Sequence, residues 1–102
     1  MKSTSPRELH TWRFVTNHAH VLQCLAANPE ARLRDVAEVV GITERSAGTI
    51  VRDLEEAGYL TKVAVGNRNC YVIHDELPLR HRRHQHHTVG DLLGFLEPPS
   101  DA

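Results

Sequence analysis

The sequence predicts a mainly α-helical domain with one small β-hairpin and an additional C-terminal helix. Three observations carry this expectation. Apolar residues recur at helical spacing in blocks that stop at Gly41, at Gly58 or at Asn28-Pro29. A run rich in strand-favouring residues, Tyr59 to Val65, begins directly after Gly58. A turn signal, Gly66-Asn67-Arg68-Asn69, then separates it from a second such run, Cys70 to Ile73.

Taken in order, residues 1–15 read as an N-terminal arm, within which Ser5-Pro6-Arg7-Glu8 spells a capping box that starts a short helix or leaves a flexible segment. Trp12, Phe14 and Val15 are the densest apolar group there, and Trp12 and Phe14 are expected against the core or a partner chain. Thr16 is placed to cap a first firm helix with Ala19, Leu22, Leu25 and Ala26 inward. The next helix carries Val36, Ala37, Val39 and Val40 and stops at Gly41, where glycine accepts the positive φ of a left-handed cap. Ile42 plugs the corner and Thr43 caps the following helix. In that helix the apolar set Ala47, Ile50, Val51, Leu54 and Ala57 leaves Glu44, Arg45, Thr49, Arg52 and Asp53 on other faces, a polar ridge suited to reading DNA.

After the hairpin, Leu77-Pro78-Leu79 breaks the strand pattern, and residues 76–87 form a basic, histidine-rich linker. Thr88 then caps a helix over 88–97 carrying Val89, Leu92, Leu93 and Leu96, closed by Pro98-Pro99. Such a stripe either folds back on the first helix or meets its copy in a second chain. The expected interface comprises Trp12, Phe14, Val89, Leu92, Leu93 and Leu96.

Helix, glycine turn, helix and a hairpin with a basic Gly-Asn tip resemble the winged helix-turn-helix domain of small MarR-like and ArsR-like transcriptional regulators, over roughly residues 16 to 75. Ala37, Gly41 and Ile50 occupy the small, glycine and buried apolar places of the general helix-turn-helix pattern, and the segment GITERSAGTIVRDLEEAGYLTKVAVGNRNCYVI resembles such proteins beyond them. The resemblance implies a small strand at Leu33 beside the wing. It also implies a sequence-specific, cytoplasmic, homodimeric DNA-binding regulator, with helix 43–57 in the major groove and wing 59–74 on the flanking minor groove or backbone. The residues expected on double-stranded DNA are Arg34, Thr43, Arg45, Ser46, Thr49, Arg52, Lys62, Asn67, Arg68 and Asn69. Arg68 is expected at an exposed wing tip. Gly48 departs from the pattern, since glycine inside a helix costs about 1 kcal/mol relative to alanine; close approach to a groove wall or to the preceding helix would account for it.

Composition limits the alternatives. A chain of 102 residues holds one modest core and no deep substrate cleft besides. No phosphate loop, paired carboxylates or nucleophile motif points to an enzyme, and no cofactor is implied. Two cysteines, Cys24 and Cys70, make no disulfide framework, and no long apolar run suggests a membrane partner. The formal net charge of −1 argues mildly against DNA binding, so cations must be gathered on one face. The near-neutral charge and the acidic Asp53-Leu54-Glu55-Glu56 end keep open a protein-interaction or RNA-binding module. For Arg45, Thr49 and Arg52 the plainer alternative is a solvated face paired with Glu44 or Glu56. His81, His84 and His87 recur at a spacing that on a helix stacks imidazoles and suits zinc, nickel or copper, whereas the plainer reading is a basic, protonatable linker that still touches phosphates. A small-molecule or metal effector cannot be named from the sequence.

Overall fold

The computed structural model describes residues 13–98, and within them the sequence blocks become four α-helices and one hairpin. These are α1 (Asn17–Ala27), α2 (Leu33–Val40), α3 (Glu44–Glu56), β1 (Leu60–Val65), β2 (Arg68–Ile73) and α4 (Val89–Leu96), with a 3-10 turn at Arg82–His84 before α4. The Ser5-Pro6 segment and Trp12 lie outside the described residues.

Threonine starts three of the helices. The Thr16, Thr43 and Thr88 hydroxyl oxygens accept the N–H groups of Ala19, Ser46 and Asp91 at 3.2, 3.0 and 3.1 Å, each satisfying one donor left over at a helix start. Thr88 completes a capping box, because the Asp91 carboxylate accepts its N–H at 2.9 Å. That backbone hydrogen bond, helped by nearby His87, holds the Asp91 carboxyl below its ordinary range. Gly41 ends α2 at φ 87°, and the Gly41 and Ile42 N–H groups both return to the Ala37 carbonyl, at 2.8 and 3.0 Å. This double closure sets the turn between α2 and α3.

The core is built around α1, which packs on α2, α3, β2 and α4. Val21, Leu25, Val36 and Leu60 are at most 1% exposed, and Leu22, Val40, Ile50, Val51, Leu54, Tyr71 and Val89 complete the cluster. Three expected inward residues point elsewhere. Ala26 and Ala57 are exposed, and Val39 is 74% exposed, because at 100° per residue it falls well off the arc shared by Val36, Ala37 and Val40. Val21, outside the expected stripe, is buried instead.

Leu33 is not a strand but the first residue of α2, since the Val36 N–H already bonds the Arg32 carbonyl at 3.0 Å. Pro29 supplies the contact a third strand would have made, its carbonyl accepting the Tyr71 N–H at 2.9 Å. The hairpin pairs Leu60 with Ile73 through to Val65 with Arg68. Its turn is therefore only Gly66-Asn67, with positive φ at Gly66 alone, as a type II′ turn requires. Arg68 and Asn69 belong to β2. Only Leu60 and Tyr71 of the two strands are buried, so the outer part of the hairpin projects from the body.

The C-terminal helix folds back. Val89 is 2% exposed inside the core and Leu93 packs against it, so these two residues serve their own chain rather than the interface expected of them. Leu92 and Leu96 are half-buried, and Phe95 is 84% exposed. Phe14 is 93% exposed and does not join the core.

Candidate nucleic-acid interface

The inward stripe of α3, Ala47, Ile50, Val51 and Leu54, turns every other long side chain of the helix outward or sideways. Two flanks result. On the hairpin side a shallow cleft of about 460 Å³ gathers Arg52, Lys62, Asn67, Arg68 and Asn69, joined by Arg32 from the loop before α2. Its four cations face only Glu30 and Glu55. The buried Tyr71 phenol also lines it, pushed above its ordinary pKa by burial and then by Glu55, so it stays neutral. On the α1 side a cleft of about 360 Å³ holds Arg45, Ser46 and Thr49 beside Asn17, His18 and Asp53.

Local bonds assign these side chains different freedoms. Thr43 and Ser46 are committed to the helix start, the Thr43 hydroxyl also donating to Ser46 Oγ at 2.9 Å. Thr49 donates to the Arg45 carbonyl at 3.2 Å. Asp53 meets His18 Nε2 at 2.9 Å, tying α3 to α1. Among the described residues, Arg45 and Arg52 enter no ion pair, so the pairing with Glu44 or Glu56 is not formed and both guanidiniums present their donors to solvent.

The structure thus brings together all the expected contacts of α3 and the hairpin, split between the two flanks. Arg34 stands apart, exposed on α2 and outside both clefts. Arg68 requires a correction. It is not at the tip but one residue inside β2, where its Nη2 donates to the Glu30 carbonyl at 3.3 Å. Asn67 occupies the tip. Two arginines were missed. Arg32 precedes α2 and borders the hairpin cleft, while Arg13 donates to the Val40 carbonyl at 3.3 Å and so closes the C-terminal end of α2 beside the turn. Their nearness to the site comes from tertiary folding, and no local pattern marks it. A Cβ on Gly48 would meet Leu33 Cδ1 at 3.6 Å, an ordinary contact, so packing against α2 does not demand glycine there.

The histidine run gives no helical stack. Only Arg82–His84 turns, and His81 and His84 sit with ring centroids 5.5 Å apart, while His87 lies against His86 and near Asp91. Among the described residues no group of three or more potential ligands could hold a metal. Burial, then the Asp35 carboxylate, pushes the Cys24 thiol above its ordinary pKa, which disfavours a reactive thiolate. No helix among the described residues is long and apolar enough to cross a membrane.

Two helices across a glycine turn, a second helix with an exposed polar ridge and a projecting hairpin beside it form a winged helix-turn-helix fold, and a family model described as winged helix-turn-helix DNA-binding matches residues 16–61. Solved structures with the same fold include transcriptional regulators and a MarR family protein. PcaV of Streptomyces coelicolor is 28% identical, with a TM-score of 0.54 over 85% of this chain and 64% of its own. A MarR family protein of Mycobacterium tuberculosis is 20% identical, with a TM-score of 0.53 over 79% of this chain and 54% of its own. MepR of Staphylococcus aureus is 17% identical, with a TM-score of 0.51 over 66% of this chain and 52% of its own. The chain therefore spans between 52% and 64% of the length of these regulators. A search of curated proteins finds no match.

Proposed function

We propose that the protein is a sequence-specific DNA-binding transcriptional regulator of the cytoplasm, acting as a homodimer. Helix α3 enters the major groove, Arg45, Ser46 and Thr49 lie toward base edges, and Arg52, Lys62, Arg32 and Arg68 hold the phosphates between helix and wing. The observation that carries this reading is the outward face of α3, whose two arginines have no ion-pair partner within the described residues and are flanked by a cationic cleft. Asn67 at the turn reaches the neighbouring minor groove or backbone. The dimer forms through Leu92, Leu96 and above all Phe95, the apolar outer side of α4. A two-fold pair of recognition helices then requires half-sites about one helical turn, roughly 34 Å, or a multiple of it apart.

Selection of duplexes from a random library tests the proposal directly. Enrichment of a pseudo-palindromic site, with affinity falling steeply as salt rises, is the expected result. Absence of any enriched sequence, with binding indifferent to salt, would instead favour a protein-interaction module. Phe95→Glu is expected to sediment as a monomer; a dimer in that variant rejects the interface.

A further inference from the structure

One strongly charged surface lies outside the arrangement of helix and wing. Residues 80–87 are eight consecutive exposed residues carrying three arginines, four histidines and no carboxylate. The run is not a loose tether. Its base is closed by the Leu79 N–H on the His87 carbonyl at 3.0 Å, the Val89 N–H on the Leu77 carbonyl at 2.8 Å and the bridge between Pro78 and Thr88. Inside it, the His84 and His87 N–H groups bond the carbonyls three residues back at 2.8 and 2.9 Å, and His81 Nδ1 accepts the Arg83 N–H at 3.1 Å. The Tyr59 hydroxyl donates to the Pro78 carbonyl at 3.1 Å, and Leu79 packs on the core, so the loop is anchored to the body.

The side chains of this anchored loop have almost no charge partners. Among the described residues its one ion pair joins His87 to Asp91 at 3.6 Å, and Arg80, Arg82 and Arg83 make none. Its position is also informative. Arg80 borders a cleft with His18, Asp53 and Glu56, and His18 and Asp53 border in turn the cleft that holds Arg45 and Thr49. Arg80, at the start of the loop, therefore lies on the α1 side of α3, the flank that does not carry the hairpin cleft.

We propose that the loop Arg80–His87 is a second contact to the phosphate backbone of DNA, on the side of α3 opposite the wing. The inference rests on the DNA-binding reading and extends it. A chain of formal net charge −1 draws no DNA affinity from its total charge, so affinity must come from local clusters. This loop is the densest of them, with no carboxylate among its eight residues; Arg80 at its start borders Asp53 and Glu56, whereas among the described residues Arg82 and Arg83 line no cleft with a carboxylate. Guanidinium forks match phosphate oxygens, and a loop already closed by its own backbone bonds loses little entropy on docking. The contact is indifferent to base sequence, so it adds affinity without changing preference.

The test uses the full chain carrying Arg80→Gln, Arg82→Gln and Arg83→Gln together, on a duplex enriched by the wild-type protein and on a scrambled duplex of equal length. The salt slope of binding is expected to become shallower by about 2 to 3 units for each protomer on the duplex, so the loss of affinity between about 50 and 200 mM salt shrinks by roughly 16- to 64-fold per protomer. The ratio of affinities for the two duplexes is expected to stay the same. If the triple variant melts lower, the pair Arg82→Gln and Arg83→Gln carries the test, with about 2 units expected for each protomer. A wild-type slope in the variant overturns the proposal while leaving the DNA reading intact, and so does a change in the duplex ratio. A wild-type protein that binds neither duplex overturns the DNA reading itself.

Discussion

Helices α3 and α4 both open on a threonine cap and both lay one face against the core around α1, yet their outer faces differ in kind. The outer face of α3 carries Arg45, Thr49, Arg52 and Glu56, whereas that of α4 carries Phe95, with Leu92 and Leu96 only half covered. Equal capping and a shared core make both helices form. The faces the core does not use differ, charged and hydrated on α3 and apolar on α4, and the proposed contacts to DNA and to a second chain rest on that difference.

The largest effect that sharpens this comparison is on stability. Leu54→Ala, on the buried side of α3, is expected to cost about 2 to 5 kcal/mol, whereas Phe95→Ala on the open side of α4 is expected to stay within about 0.5 kcal/mol at a concentration where the protein is monomeric. Urea denaturation of both checks it. Comparable losses would show that Phe95 is covered within its own chain.

Next comes the outer face of α3. Arg45→Ala is expected to lose about 1 to 3 kcal/mol of preference for the selected duplex at unchanged stability. The comparison breaks if the variant unfolds at lower denaturant yet binds as before.

For α4 the cap itself is testable, since Thr88→Ala is expected to cost about 1 kcal/mol. The same cap gives a pH dependence. Because the folded-state pKa of Asp91 lies below the value of 3.8 it has in the open chain, its contribution is fully present above that value and is lost as pH falls through the lower folded one. Acid titration followed by NMR of the Thr88 and Asp91 amides should show α4 opening at its N-terminus in that window, and Asp91→Asn should remove the step. Loss at higher pH would point to another group.

The smallest effect has the opposite sign. Gly48→Ala is expected to stabilise α3 by up to about 1 kcal/mol, because a methyl group there meets Leu33 at ordinary distance. If the variant nevertheless binds the selected duplex more weakly, glycine serves close approach to DNA. Unchanged binding would leave the residue without a role at the interface.

What the sequence disclosed follows from how local each determinant is. Gly41, Thr43, Gly58 and Thr88 act within a few residues of themselves, so the end of α2, both ends of α3 and the start of α4 were legible from residue type and spacing. The polar ridge of α3 was legible for the same reason. Errors fell where a distant segment decides. Val89 was given to a partner chain because nothing local tells that α1 leaves it a place in the core. Arg68 was put at a tip because three turn-favouring residues within 66–69 hide a two-residue turn, and only the pairing of Val65 with Arg68 resolves it. Leu33 belongs to a helix because Pro29 already meets β2. Arg13 reaches the end of α2 across 27 residues of sequence, beyond any periodicity.

The hairpin is rooted in the body mainly at its base, by Leu60, Tyr71 and half-buried Ile73. Its length is therefore a free dimension of the molecule. One added residue in each strand, with compensating alternation of the faces, lengthens the arm by about 3.4 Å without touching a core side chain. Residues 61–69, all exposed, can diverge among descendants of this chain while the helical body stays fixed. Evolution can thus retune how far the hairpin reaches, and with it the proposed contact to DNA, without paying for the change in fold stability.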